Sequence, residues 1–199
     1  MEGERPLSSR EVFAGRLLRV RVDEVELRGR VATREVVEHP GAVAILAMTP
    51  NDDLVMVKQY RHAAGRMTIE IPAGTLGAGE DPAGCAAREL KEETGFTAGT
   101  LHRVCSFYTA IGFCTEVLHL FVARELQEGD QEYEDDEEIE VLSMPVSSAM
   151  DLIGQGEIMD AKTVAAVFWA QLHALGEQRA EALMRSVSGA SAAQRQAGG

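Results

Sequence analysis

The sequence lacks several features that would each have set a functional class. Basic residues are outnumbered, 19 lysines and arginines against 32 aspartates and glutamates, for a formal charge of −13. So large an acidic excess argues against a nucleic-acid backbone or an anionic membrane as the main partner, since both would repel the chain. No apolar run reaches the roughly 20 residues that a membrane-spanning helix requires. The opening MEGERPLSSR has no apolar core of the secretory type, so a cytoplasmic location is expected. Cysteine is scarce. Cys85, Cys105 and Cys114 are odd in number and lack metal-finger spacing, and buried free thiols are the expectation. Internal repeats are absent too. What remains is a chain of 199 residues with ordinary apolar content, enough for one ample core and a small appendage.

Residues 1–9 are polar and expected to be loose. From Glu11 to Val37 the chain reads as strands, with Leu18, Val20, Val22, Val25 and Leu27 in rough alternation. Arg28-Gly29-Arg30 is a turn, and Val31 to Glu38 the returning partner. A small sheet of this kind cannot cover both faces alone. Ala42 to Met48 is a continuous apolar run that predicts a central strand, and Leu54 to Tyr60 its hairpin partner. Thr68–Ile71, Leu101–Tyr108, Val117–Val122 and Ile139–Met144 read as further strands. Val146 to Ile153 reads as a short helix closed by Gly154. Asp160 caps a last helix whose Val164, Phe168, Leu172 and Leu175 repeat at core-facing spacing. From Ser186 the residues are small and polar, which predicts a disordered tail. Strands first, one helix in the middle and helices at the end predict an α/β/α sandwich with a mixed sheet, preceded by a small antiparallel sheet. The expected division is 1–40 for the N-terminal strands, 41–178 for the main domain and 179–199 for the tail.

The densest information lies between Gly74 and Phe96, GTLGAGEDPAGCAARELKEETGF. Asp81-Pro82 is a helix start and Thr94-Gly95 a helix stop. On the helix between them, Ala83, Ala86, Ala87, Leu90 and Thr94 form a narrow stripe able to lie close against a sheet. Glu89, Glu92 and Glu93 fall on the adjacent arc, at the spacing that brings side chains together. A glycine-rich loop precedes them. Crowded carboxylates beside an apolar stripe point to a hard cation with oxygen ligands, with Mg²⁺ the usual choice where substrate phosphates complete the shell.

Gly74, Glu80, Arg88, Glu89, Leu90, Glu92, Glu93, Gly95 and Phe96 fill the pattern G-x5-E-x7-R-E-U-x-E-E-x-G-U, with U apolar. This stretch resembles the signature box of the Nudix hydrolases. REVVEHPGAVAIL (34–46), VKQYRHAAG (57–65), IEIPAG (69–74), FYTAIGFCTE (107–116) and GEIMDAKT (156–163) resemble its ADP-ribose pyrophosphatase branch. The resemblance implies the same sandwich fold and Mg²⁺-dependent hydrolysis of ADP-ribose to AMP and ribose 5-phosphate, with Mn²⁺ as a possible substitute. It also implies a homodimer that exchanges its N-terminal strands. Residue by residue, the carbonyl of Ala73 with Glu89, Glu93 and Glu137 would hold metal. Glu92, Asp135 or Glu137 would take the proton, with Glu134 a rival to Asp135. Arg88 would orient the catalytic loop, and Glu80 would tie that loop to the helix. Arg61 would bind the diphosphate with its forked guanidinium. Glu70 and Glu116 would contact the nucleoside or terminal ribose, and Gly112 and Phe113 would also bind substrate. Two departures stand out: Asp135 falls where the family usually has a glutamate base, and Ile111 stands where ADP-ribose enzymes commonly carry proline. GDP-mannose or another nucleoside diphosphate sugar therefore stays open as substrate, as does a non-catalytic module that binds ADP-ribose.

Overall fold

The computed structural model describes residues 3–132 and 138–174. The chain opens with a three-stranded antiparallel sheet of β1 (Arg5–Ala14), β2 (Arg19–Leu27) and β3 (Arg30–Glu38). Arg28 and Gly29 both take positive φ, 53° and 71°. That pair of left-handed residues suits a tight two-residue hairpin, and Leu27 accordingly pairs with Arg30. Residues 5–9, expected to be loose, instead belong to β1, which pairs with β2 from Arg5 to Ala14. The reason they carry no periodic signal is that all ten residues of β1 are exposed. Cross-strand contacts hold them, such as Arg5 with Glu26 and the Ser8 hydroxyl donating to Glu24 at 2.9 Å.

The main sheet has seven strands. They are β4 (Ala42–Met48), β5 (Asp53–Arg61), β6 (Arg66–Glu70), β7 (Ala73–Thr75), β8 (Thr97–Tyr108), β9 (Val117–Gln127) and β10 (Ile139–Pro145). The central order is β10-β5-β4-β9-β8, with β6 on β5 and β7 on β4. The sheet is mixed, because β4 runs parallel to β9 and antiparallel to β5 and β7. Strand β7 was not foreseen. Three residues, Ala-Gly-Thr, are too short for a periodic signal, and their pairing with Ala42–Ala44 is a tertiary event.

Every residue of β4 is buried, which explains its unbroken apolar run. Ala44, Leu46 and Met48 point into one core with Leu54, Met56, Ile71 and Val167. Val43, Ile45 and Ala47 point into the other with Cys85, Ala86 and Leu90. Two cores on two faces make the layered α/β/α sandwich expected from the sequence. Each large aliphatic residue buried there contributes about 1.5–3 kcal/mol of transfer free energy.

Helix α1 (Pro82–Thr94) covers one face. Its boundaries match the sequence reading. Asp81 accepts from the N–H groups of Ala83 and Gly84, both at 3.1 Å, and Gly95 closes the helix at φ 76°. The buried face is turned from the expected stripe. Cys85, Ala86, Leu90, Glu93 and Thr94 are buried, while Ala83 and Ala87 are exposed. Glu93 therefore lies inside the packed face rather than beside it.

Helices α2 (Val146–Gln155) and α3 (161–174) lie on the other face. The left-handed C-cap of α2 is Gly156, φ 75°, not the expected Gly154. Asp160 caps α3, accepting from the Thr163 N–H at 3.0 Å and its hydroxyl at 2.6 Å. The expected apolar stripe on α3 is corrected too. Thr163, Ala166, Val167 and Ala170 are buried, whereas Phe168 and Leu172 are 45% and 69% exposed. Small residues face the sheet because the helix packs close. Leu175 and the expected tail lie outside the described residues. Of the cysteines only Cys85 is buried; Cys105 is exposed and Cys114 intermediate, contrary to expectation. Among the described residues, no helix is long and apolar enough to cross a membrane.

The two sheets are joined through the loop after β8. Val37 donates its N–H to the Phe113 carbonyl at 2.7 Å and accepts from the Thr115 N–H at 2.9 Å. His39 adds a backbone bond to the Thr115 hydroxyl at 3.0 Å.

Candidate functional site

The glycine-rich loop and α1 build one wall of a polar cavity of about 670 Å³. Ala73, Gly74, Arg88, Glu89, Glu92 and Glu93 line it, and so does Arg61. Gly74 is required by close approach: a Cβ there would overlap the Glu89 side chain. Glu93 is only 5% exposed and accepts from the Ala73 N–H at 3.1 Å. Its own carbonyl accepts from the Gln131 amide at 2.6 Å, and the Glu92 carbonyl from the Glu132 N–H at 3.1 Å. Residues 131–132 thus satisfy carbonyls that the last turn of α1 leaves without helical partners.

Arg88 ties the acids together. It donates to Glu80 at 3.0 and 3.2 Å and to Glu92 at 2.8 Å, and lies 2.8 Å from Glu89. Glu80 also accepts from the Gly77 N–H at 2.8 Å. The Arg88 guanidinium and the Gly77 N–H together hold the Glu80 carboxyl down at about 2. Arg88 is correspondingly stabilised as a cation, first by Glu80, against the cost of burial. Beneath it, burial pushes the Cys85 thiol up to about 12, with Glu80 adding to the effect. Such a thiol is inert.

The donor set fits a hard divalent cation. Glu89, Glu92 and Glu93 line one polar cavity, and with Glu80 they outnumber Arg88 in charge. Carboxylate oxygens with a nearby main-chain carbonyl are the ligands such ions prefer. No three metal-ligating side chains among the described residues converge on a single point. Arg88 pairs with three of the four glutamates instead.

Arg61 ends β5 and borders three adjoining cavities. Its Nε and Nη2 donate to the two oxygens of Glu70, each at 2.8 Å. Glu70 is 2% exposed. Burial alone would raise its pKa, but Arg61 and Lys162 outweigh that and hold it at about 2. Glu70, expected to meet substrate, borders the second cavity with both oxygens bonded, to Arg61 and to Lys162. Glu116 borders a third cavity of about 340 Å³ with Arg61, Ala73 and Thr109. The Thr109 hydroxyl donates to it at 2.6 Å. Gly112 and Phe113 sit on the exposed loop after β8 and line none of the three cavities. Asp135 and Glu137 lie outside the described residues.

Sequence reasoning missed four residues here. Arg16 and Leu17, between β1 and β2, border the main cavity. Lys162 and Asp160 border the other two. The DAKT segment that holds them was visible, but nothing local assigned it to Arg61, roughly a hundred positions away.

Residues 38–167 match the NUDIX domain family. The chain is 42% identical over 172 residues to an ADP-ribose pyrophosphatase of Bacillus subtilis (strain 168), covering 85% of this chain and 93% of that one. It is 41% identical over 172 residues to a methanol dehydrogenase activator of Bacillus methanolicus, with the same coverage of 85% and 93%. Among solved structures it is similar to an ADP compounds hydrolase, with a TM-score of 0.80 at 24% identity, over 90% of this chain and 98% of that one. The box residues, the sandwich that carries them and these likenesses agree: the chain belongs to the Nudix hydrolase family.

Proposed function

We propose that this protein hydrolyses the pyrophosphate bridge of ADP-ribose, giving AMP and ribose 5-phosphate, with Mg²⁺ as its metal and Mn²⁺ able to replace it. The observation that carries the reading is the meeting of Glu89, Glu92 and Glu93 with Arg61 and Arg88 around one polar cavity. The activity borne in the name of the Bacillus subtilis relative supports the choice of substrate. Glu89 and Glu93, with the Ala73 carbonyl and Glu137, are the proposed metal ligands. A bound divalent ion would polarise phosphoryl oxygens and acidify water.

The chain's own groups do the rest. Arg61 offers the cavity a guanidinium edge not used by Glu70, suited to a diphosphate. Arg88 holds Glu80 and Glu92 in register, so the loop after β7 and the helix keep one geometry. Glu92, Asp135 or Glu137 accepts the proton of the attacking water. Glu116 with Thr109 offers acceptors for sugar hydroxyls.

A phosphate-release assay coupled to phosphatase, run over ADP-ribose, GDP-mannose and UDP-glucose, tests the substrate. The expected result is Mg²⁺-dependent turnover with ADP-ribose preferred and complete loss in EDTA. Preference for GDP-mannose would overturn the substrate, and ADP-ribose binding without turnover would overturn the enzyme.

We further propose a cytoplasmic homodimer. The N-terminal sheet leaves Leu7, Val12, Phe13 and Val31 between 42% and 64% exposed. A second protomer is the partner that would cover them. Light scattering is expected to give twice the chain mass, and a stable, active monomer would refute the assembly.

A further inference from the structure

Lys162 opens α3 and is 14% exposed. Its ammonium donates to Glu70 Oε2 at 2.5 Å and lies 3.0 Å from Asp160 Oδ2. The other Glu70 oxygen, Oε1, accepts from Arg61 Nε and from the Thr68 hydroxyl at 2.7 Å. Each oxygen of this buried carboxylate therefore has two donors. Two acids and two bases form a balanced cluster, but only Arg61 reaches all three cavities. Without Lys162, Glu70 and Asp160 would present two negative charges to one arginine. Arg61 is held as a cation first by Glu70 and then by Glu93 and Asp160, and burial opposes leaving Glu70 unpaired.

We propose that Lys162 is a positioning residue: by neutralising Glu70 and Asp160 it leaves the Arg61 guanidinium aimed at the substrate cavity. The proposal rests on the reading of Arg61 as the diphosphate contact. Lys162 borders the second and third cavities but not the one lined by the glutamates of α1, so in this proposal it acts through Glu70 rather than on the reacting phosphates. Its loss therefore weakens substrate binding and leaves the chemical step nearly intact. That pattern separates it from the glutamates of α1.

The test is a double-mutant cycle, with ADP-ribose affinity measured by calorimetry in EDTA and kcat and KM measured in Mg²⁺. Lys162→Met is expected to weaken affinity and raise KM about tenfold, with kcat within about threefold. Arg61→Ala is expected to do more. The double variant should match Arg61→Ala alone, since the two residues act on one contact. Lys162→Gln, which keeps a donor but no charge, should fall between wild type and Lys162→Met, and it serves as the second reading where the methionine variant folds poorly. A lowered melting temperature with unchanged affinity and KM would overturn the proposal and leave Lys162 a packing residue. Additive losses in the double variant would also overturn it, making Lys162 a direct substrate contact. If Arg61→Ala leaves affinity unchanged, the reading of Arg61 falls as well. That result separates failure of the diphosphate contact from failure of Lys162 alone.

Discussion

Glu93→Gln is expected to lower kcat on ADP-ribose by at least about a thousandfold, which corresponds to roughly 4 kcal/mol of barrier. The fold should survive. Glutamine keeps the size of the side chain and an oxygen able to accept from the Ala73 N–H, the bond that ties α1 to β7. What it loses is the negative charge of a group only 5% exposed on the cavity wall. A divalent ion bound there would lose a charged ligand. The loss should exceed that of Asp135→Asn. A general base contributes about 10²–10⁴-fold, and neighbouring carboxylates can take over part of that work. Steady-state kinetics over a Mg²⁺ titration, with a thermal melt of each variant, decide the matter. Equal losses in kcat would refute this division of labour.

The second large effect is expected from a single methyl group. In Gly74→Ala the new Cβ would fall on the Glu89 carboxylate and its preceding methylene. The atoms displaced are the far end of a flexible side chain, so the cost to folding is modest. Glu89 is driven off the cavity instead. A hundredfold or greater fall in activity is expected, about 3 kcal/mol or more, with a change in melting temperature of only a few degrees. Raised Mg²⁺ should restore part of the activity, because weaker metal binding is the proposed cause. A variant with wild-type kinetics would show that Glu89 has no part in catalysis. A variant that fails to fold would show that the clash cannot be relieved by side-chain motion. The close approach also gives a reason for a glycine in the box that needs no positive φ.

Legibility followed the range of the interactions. Helix α1 could be read to the residue because its limits are local: Asp81 caps it, Pro82 starts it and Gly95 ends it. Strand β4 was equally plain, since burial on both faces leaves an unbroken apolar run. The buried faces of α1 and α3 could not be read, because sequence periodicity gives several stripes of similar width. Which one turns inward depends on how closely the helix meets the sheet. On α3 the stripe with Phe168 and Leu172 lost to one of small residues.

The sequence by itself determined the family, the carboxylate-bearing helix and the layered architecture, because the first two rest on spacing within a few turns of chain and the third on the order of strands and helices along it. Only the tertiary structure decided what Glu70 pairs with. Its partners Arg61 and Lys162 come from separate elements, with Lys162 92 positions away. A buried carboxylate takes its role from whichever charges the packed chain places beside it, and no local pattern records that choice.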